Sequence, residues 1–185
     1  PYNKPIYQGY LSAGRINLKT IQIPVNTLII LCGPAGCGKS TFARKYFLET
    51  QIVSSDHCRA LISDDENDLS VSGMAFKIFH LLIDMRLSQG RITVADSTAL
   101  DRSARLRLKK LAAKHNCHTL LVLFNVPLDL CLKQNVSRER NVEPAVIKKH
   151  MQKLGRAARA ITEEEYDQYY VFNQGQADQV IIKVT

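Results

Sequence analysis

Gly33-Pro34-Ala35-Gly36-Cys37-Gly38-Lys39-Ser40 stands between two runs of different character. Before it, Leu28-Ile29-Ile30-Leu31 is a short apolar run that reads as a buried strand. After it, Thr41 to Phe47 follows a helix pattern. A Gly-x-x-x-x-Gly-Lys-Ser stretch between a strand and a helix is a P-loop. Its glycines permit backbone angles that other residues resist. Successive N–H groups can then converge at a helix N-terminus and hold phosphate oxygens. On this reading Gly33, Pro34, Ala35, Gly36, Cys37, Gly38, Lys39, Ser40 and Thr41 form a nucleotide cradle. Lys39 reaches the β- and γ-phosphates and Ser40 binds Mg²⁺. Chance supplies such a pattern in on the order of one chain in a hundred of this length. The flanking strand and helix lower that further, so a glycine-rich turn that binds nothing is the weaker reading.

Working outward, strand and helix patterns alternate. Ile21-Gln22-Ile23 is a candidate edge strand, and Gln51 to Ser54 a second short strand leading into a turn at Ser55-Asp56. Helical spacing runs from Gly73 to Gln89, with Gly90 as its stop. Arg91 to Ala95 reads as a strand ending at Asp96, Asp101 to His115 as a helix, and His118 to Phe124 as a strand. Pro127 opens another helix, residues 137–142 read as a loop and 143–161 as a basic helix, and Tyr169–Phe172 and Val180–Val184 are the last strands. The expected fold is therefore α/β: a P-loop NTPase fold, its mainly parallel sheet covered by helices on both faces, with a helical lid at about 134–160. Residues 1–20 read as an arm or linker remnant and 21–185 as one P-loop domain.

The 185 residues are 45% hydrophobic and 23% charged, ordinary for a globular domain. No apolar run approaches a membrane span, so no membrane partner is expected. The five cysteines, with no C-x-x-C pair, suggest reduced thiols in a cytoplasm rather than a disulfide framework. The chain opens on Pro1 without Met, so a larger multidomain protein is expected, with a homodimer an open arrangement. The net charge of +8 concentrates at Arg102–Lys114 and Lys133–Arg159, two stripes that suit polyanions or simply a solvated helix face.

A P-loop alone leaves ATPase, GTPase and kinase open. The guanine-reading Asn-Lys-x-Asp is absent, and the chain is short for a ring-forming ATPase. Asp56, after a short strand, is the candidate general base for an attacking hydroxyl, or else a helix cap. Arg59, three residues on, suits a phosphate carried by the acceptor. Asp96 at a strand end is placed like a Walker-B aspartate acting on Mg²⁺ through water, or is a turn former. Arg138 and Arg140 lie before the basic helix, where lid arginines would stabilise a transferring phosphoryl group.

Val53-Ser54-Ser55-Asp56-His57-Cys58-Arg59, Ser63-Asp64-Asp65-Glu66-Asn67-Asp68 and Thr93-Val94-Ala95-Asp96 together resemble the kinase domain of bacterial polynucleotide kinase-phosphatase. Phe124-Asn125-Val126-Pro127 and Ile147-Lys148-Lys149-His150 extend the likeness over roughly residues 21–155. The resemblance implies transfer of the γ-phosphate of ATP or another NTP, with Mg²⁺, to 5′-hydroxyl ends of RNA or DNA in repair. It implies Asp56 as base, Arg59 on the phosphate beside the terminal nucleoside, Lys39 and Ser40 on donor and metal, and Arg138 and Arg140 on the donor phosphates. Gln134 stands where the family's lid carries an arginine, and the lid is one residue shorter between Arg138 and Arg140. Two other readings remain: a small-molecule P-loop kinase, and an RNA-binding module whose kinase centre has decayed.

Overall fold

The computed structural model describes residues 19–136 and 141–185. In chain order these form β1 (Lys19–Ile23), β2 (Thr27–Cys32), α1 (Lys39–Tyr46), β3 (Ile52–Ser54), α2 (Ser55–Ser63), α3 (Ser72–Ser88), β4 (Thr93–Asp96), α4 (Arg102–Lys114), β5 (His118–Phe124), α5 (Leu128–Val136), α6 (Pro144–Ile161), β6 (Gln168–Phe172) and β7 (Val180–Val184).

Five strands make one all-parallel sheet in the order β3-β4-β2-β5-β6. The central strand β2 is buried along its whole length, because helices cover both faces. Leu28, Ile30 and Cys32 point to the side packed by α3, α4 and the end of α6. Ile29 and Leu31 point to the side of α1 and α5. This is the expected α/β architecture, and it explains why the strand reads as a continuous apolar run rather than an alternating one.

The chain leaves β2 to build β3 and β4 on one side, then returns to build β5 and β6 on the other. The carboxyl end of β2 is thus the point where connections diverge, the usual ligand position in open parallel sheets. Register aligns the neighbouring strand ends: Leu31 lies opposite Asp96, and Asp96 opposite Ser54. The P-loop, Asp96 and the start of α2 therefore leave the sheet at one edge.

Three details differ from the sequence reading. The turn expected at Ser55-Asp56 is already helix, because the Ser54 hydroxyl accepts from the His57 N–H at 3.3 Å and caps α2 one residue earlier. The strand expected from Arg91 begins at Thr93, where the Arg86 guanidinium donates to the Ile92 carbonyl at 2.9 Å and the Thr93 hydroxyl at 3.2 Å. The candidate edge strand is β1, but it pairs with β7 in a separate two-stranded parallel sheet, from Lys19 opposite Val180 to Ile23 opposite Val184. Ile21 and Ile23 alternate inward and join the core on the α1 side. Most of the loop expected at 137–142 falls outside the described residues, and Arg138 and Arg140 with it. All five cysteines are buried thiols outside any disulfide. Among the described residues, no helix is long and apolar enough to cross a membrane.

Candidate active site

The P-loop turns into α1 at Gly38, a left-handed N-cap (φ +94°) from whose carbonyl the helix ladder starts, accepting from Phe42 N–H at 2.9 Å. Gly36 is also left-handed (φ +79°), and a Cβ there would overlap the Cys131 carbonyl of α5. The loop is thus pressed against α5 with no room for a side chain. Lys39 is buried, and its ammonium donates to the carbonyls of Gly33 at 3.0 Å and Pro34 at 2.6 Å and touches Cys37 Sγ at 3.6 Å. Ser40 lies half-buried in the first turn of α1, while Thr41 is exposed. Asp96 is buried at the end of β4. A glycine-rich loop at a helix start, an ammonium drawn into the loop, and a hydroxyl and a carboxylate at the same sheet edge fit the phosphates of a nucleotide and a hard, oxygen-preferring Mg²⁺.

The segment after Asp96 is fastened from two sides. The Gly33 N–H donates to the Thr98 carbonyl at 2.9 Å, and Cys32 Sγ donates to the Ala99 carbonyl at 3.3 Å. Ala99 holds a left-handed φ of +43°. Arg105, buried at the end of the first turn of α4, donates to the carbonyls of Ala99 at 2.9 Å and Leu100 at 2.8 Å. Its other edge makes a bidentate pair with Glu164, at 2.8 and 2.6 Å. The Tyr166 hydroxyl donates to the same carboxylate at 2.8 Å, and Lys109 donates to the Glu164 carbonyl. Burial pushes the Glu164 carboxyl up, but the bonds from Arg105 and Tyr166 outweigh it and leave it below the usual carboxylate range. Burial also pushes the Cys32 thiol up to about 12, so it stays protonated and unreactive at neutral pH. The sequence reading missed Arg105. Its signal was its spacing: Arg105, Leu108 and Ala112 share one helix face and are all buried.

Asp56 and Arg59 meet on α2. The side chain that caps α2 is that of Ser54, not that of Asp56. Asp56 Oδ1 accepts from Arg59 Nη2. Arg59 is itself buried, and its Nε donates to the Glu66 carbonyl at 2.8 Å. The acidic stretch after α2 folds to present that carbonyl: Asp65 accepts from the backbone and side chain of Asn67, at 2.8 and 3.1 Å, and Asp68 caps the next turn through Ser70 N–H at 2.9 Å. Burial lowers the Arg59 pKa from its ordinary value, with nearby Glu66 opposing the shift. A guanidinium carries five N–H donors, more than Asp56 and Glu66 use together. The pair is a carboxylate able to accept a proton beside a fixed cation able to hold an anion.

From the other side, α6 passes over the loop. The Ala35 N–H donates to His150 Nδ1 at 3.3 Å, and Lys153 pairs with Asp101 at 2.8 Å. Gln134 of α5 places its Oε1 4.0 Å from where a Cβ on Gly38 would sit, at the edge of the loop.

The model of the AAA domain family matches residues 28–160. Among solved structures, the Mycobacterium tuberculosis APS kinase aligns with a TM-score of 0.51 at 14% identity, over 84% of this chain and 94% of that one. A gluconokinase from Sinorhizobium meliloti aligns at 0.52 and 14% identity, over 84% and 88%. A chain of the PezAT toxin–antitoxin system of Streptococcus pneumoniae aligns at 0.57 and 16% identity, over 88% and 71%. At these identities the likeness is one of fold, that of a P-loop kinase-like domain.

Proposed function

The chain belongs to the AAA domain family, and from that premise we propose that it is a phosphotransferase, moving the terminal phosphoryl group of ATP or another NTP to a hydroxyl beside an anionic group on its acceptor. The observation that carries this reading is the Asp56–Arg59 pair, set at the same sheet edge as the P-loop. Asp56 accepts the proton of the attacking hydroxyl. Arg59, held by the Glu66 carbonyl, seats the neighbouring anion. Lys39 and the loop amides bear the charge of the donor phosphates, and Ser40 and Asp96 would hold Mg²⁺, which neutralises phosphate charge. The clamp on the Thr98–Leu100 segment keeps Asp96 and the P-loop in one register.

A small anionic acceptor is the first choice, since the fold is shared with an APS kinase and a gluconokinase. A 5′-hydroxyl end of RNA or DNA is the second, with the anion supplied by the next phosphate. It is supported by the residues Val53–Arg59 and Ser63–Asp68, which build the Asp56–Arg59 site itself. The test is transfer from labelled ATP to paired acceptors: sugar acids and their neutral sugars, 3′-nucleoside monophosphates and bare nucleosides, and 5′-hydroxyl oligonucleotides. A preference for the anionic member of each pair is expected. Equal transfer to charged and neutral acceptors would remove Arg59 from the acceptor site, and preference for oligonucleotides over every monomer would reverse the order of the two readings. Binding of RNA without transfer to any acceptor would leave the decayed-centre reading.

A further inference from the structure

His150 is the one side chain of α6 found bonded to the P-loop backbone among the described residues. A ring nitrogen that accepts from an N–H carries no proton of its own, so the proton of the neutral ring sits on Nε2. Three charged groups act electrostatically on the ring: Lys39 of the P-loop, Lys153 on α6 itself, and Asp101, the partner of Lys153, at the start of α4. Burial first, then Lys39 and Lys153, lower the His150 pKa, with Asp101 opposing them. On the P-loop reading the Ala35 N–H belongs to the phosphate cradle, and Lys39, whose ammonium lies on the neighbouring Gly33 and Pro34 carbonyls, is the group that reaches the β- and γ-phosphates in loops of this kind.

We propose that His150 is a further phosphate-binding residue of this site, which exchanges its bond to the Ala35 amide for a bond to the terminal phosphate of the nucleotide and takes up one proton as it does so. The inference rests on the phosphotransferase reading and deepens it. When a phosphate oxygen accepts from Ala35 N–H, Nδ1 loses that donor and faces an anion instead. The lone pair that accepted from the amide takes a proton from solvent, and the new N–H donates to a phosphate oxygen. The ring becomes a cation at a point where negative charge is gathered, and α6 is drawn to the donor by a charge rather than to the loop by a neutral bond. Lys39 and Lys153, which disfavour a charged ring, are offset by the phosphate charge.

The test is calorimetric binding of a non-hydrolysable ATP analogue, in pairs of buffers with different ionisation heats, at several pH values. The wild-type chain is expected to take up protons on binding. Its affinity should fall with rising pH by up to about tenfold per unit more steeply than that of His150→Asn, whose amide oxygen stands nearest the position of Nδ1 and can accept from Ala35 but does not titrate. The nucleotide's own phosphate titration, near pH 6, is common to both proteins and cancels in the comparison. A second readout needs no substitution: the ¹⁵N signal of His150 Nδ1 should change from an unprotonated to a protonated nitrogen when the analogue is added. Tight binding with equal proton uptake in both proteins, or a ring that stays neutral in the complex, overturns the inference alone. No binding by the wild-type chain overturns it together with the phosphotransferase reading.

Discussion

Gly36 shows how narrow the tolerance of the loop is. Its left-handed backbone costs about 1–2 kcal/mol for any L-residue, and a methyl group would push the Cys131 carbonyl, and α5 with it, out of place. Gly36→Ala should lower stability by about 2–4 kcal/mol in urea unfolding, the two effects together, and weaken nucleotide binding in parallel. Unchanged stability would mean that α5 does not press on the loop. Asp56→Asn keeps shape and the Ser54 cap but removes the proposed proton acceptor. Transfer should fall by about 10²–10⁴, with nucleotide affinity unchanged. Arg59→Lys should raise KM for an anionic acceptor while sparing KM for ATP, because an ammonium cannot span Asp56, Glu66 and an anion with one planar fork. These residues were legible as candidates in the sequence because each belongs to a local pattern: glycines at loop spacing, an aspartate after a strand, an arginine one turn on. What was not legible was the division of labour between Ser54 and Asp56, since either side chain can cap a helix and only the backbone decides which one stands at the end.

At the scale of elements, the buried Arg105–Glu164 pair ties α4, the segment after β4 and the residues after α6 into one unit. Removing one partner strands the other charge in the core, so Glu164→Gln and Arg105→Met should each cost about 3–5 kcal/mol. Replacing both with apolar residues should cost less than the sum of the two, as a double-mutant cycle would read; simple additivity would mean that the pair is not coupled. The carboxyl titrates lower in the folded chain than in the unfolded one. Between those two values the unfolded chain binds more protons, so stability rises with pH there. The stabilisation from Glu164 is present above its unfolded pKa, about 4.3, and is lost as pH falls through the folded value. The gap between wild type and Glu164→Gln in urea unfolding should therefore close on acidification below about pH 4. None of this was legible as an element property, because helix periodicity marks a face as buried without saying that an arginine lies on it, and its partner is remote in sequence. Arg105 broke the apolar pattern of α4, yet its spacing from Leu108 and Ala112 was that of a core residue.

For the whole molecule, the alternation of strands and helices sufficed to place the candidate residues together, since an all-parallel sheet with β2 at its centre gathers the strand ends Leu31, Ser54 and Asp96 along one edge. Long-range closure was beyond it: β1 and β7 each read as a short strand, and nothing local says that they pair with each other. A ligand that binds only the folded chain should raise its stability by about 2.7 kcal/mol at a hundredfold excess over Kd. A thermal shift with the ATP analogue that is absent in Lys39→Ala would place that ligand in the loop.

The β1–β7 ladder also orders events in time. A chain made from its N-terminus delivers Ile21 and Ile23 first and their ladder partners last, after the whole central sheet has emerged. Until Val180–Val184 leaves the ribosome, β1 lacks its ladder partner, and such an edge invites pairing with other chains. Stalled or shortened products should accordingly be sticky even where the nucleotide end of the sheet is sound. A chain stopped after Phe172 is expected to be cut by protease N-terminal to Thr27 while β2 to β6 resist.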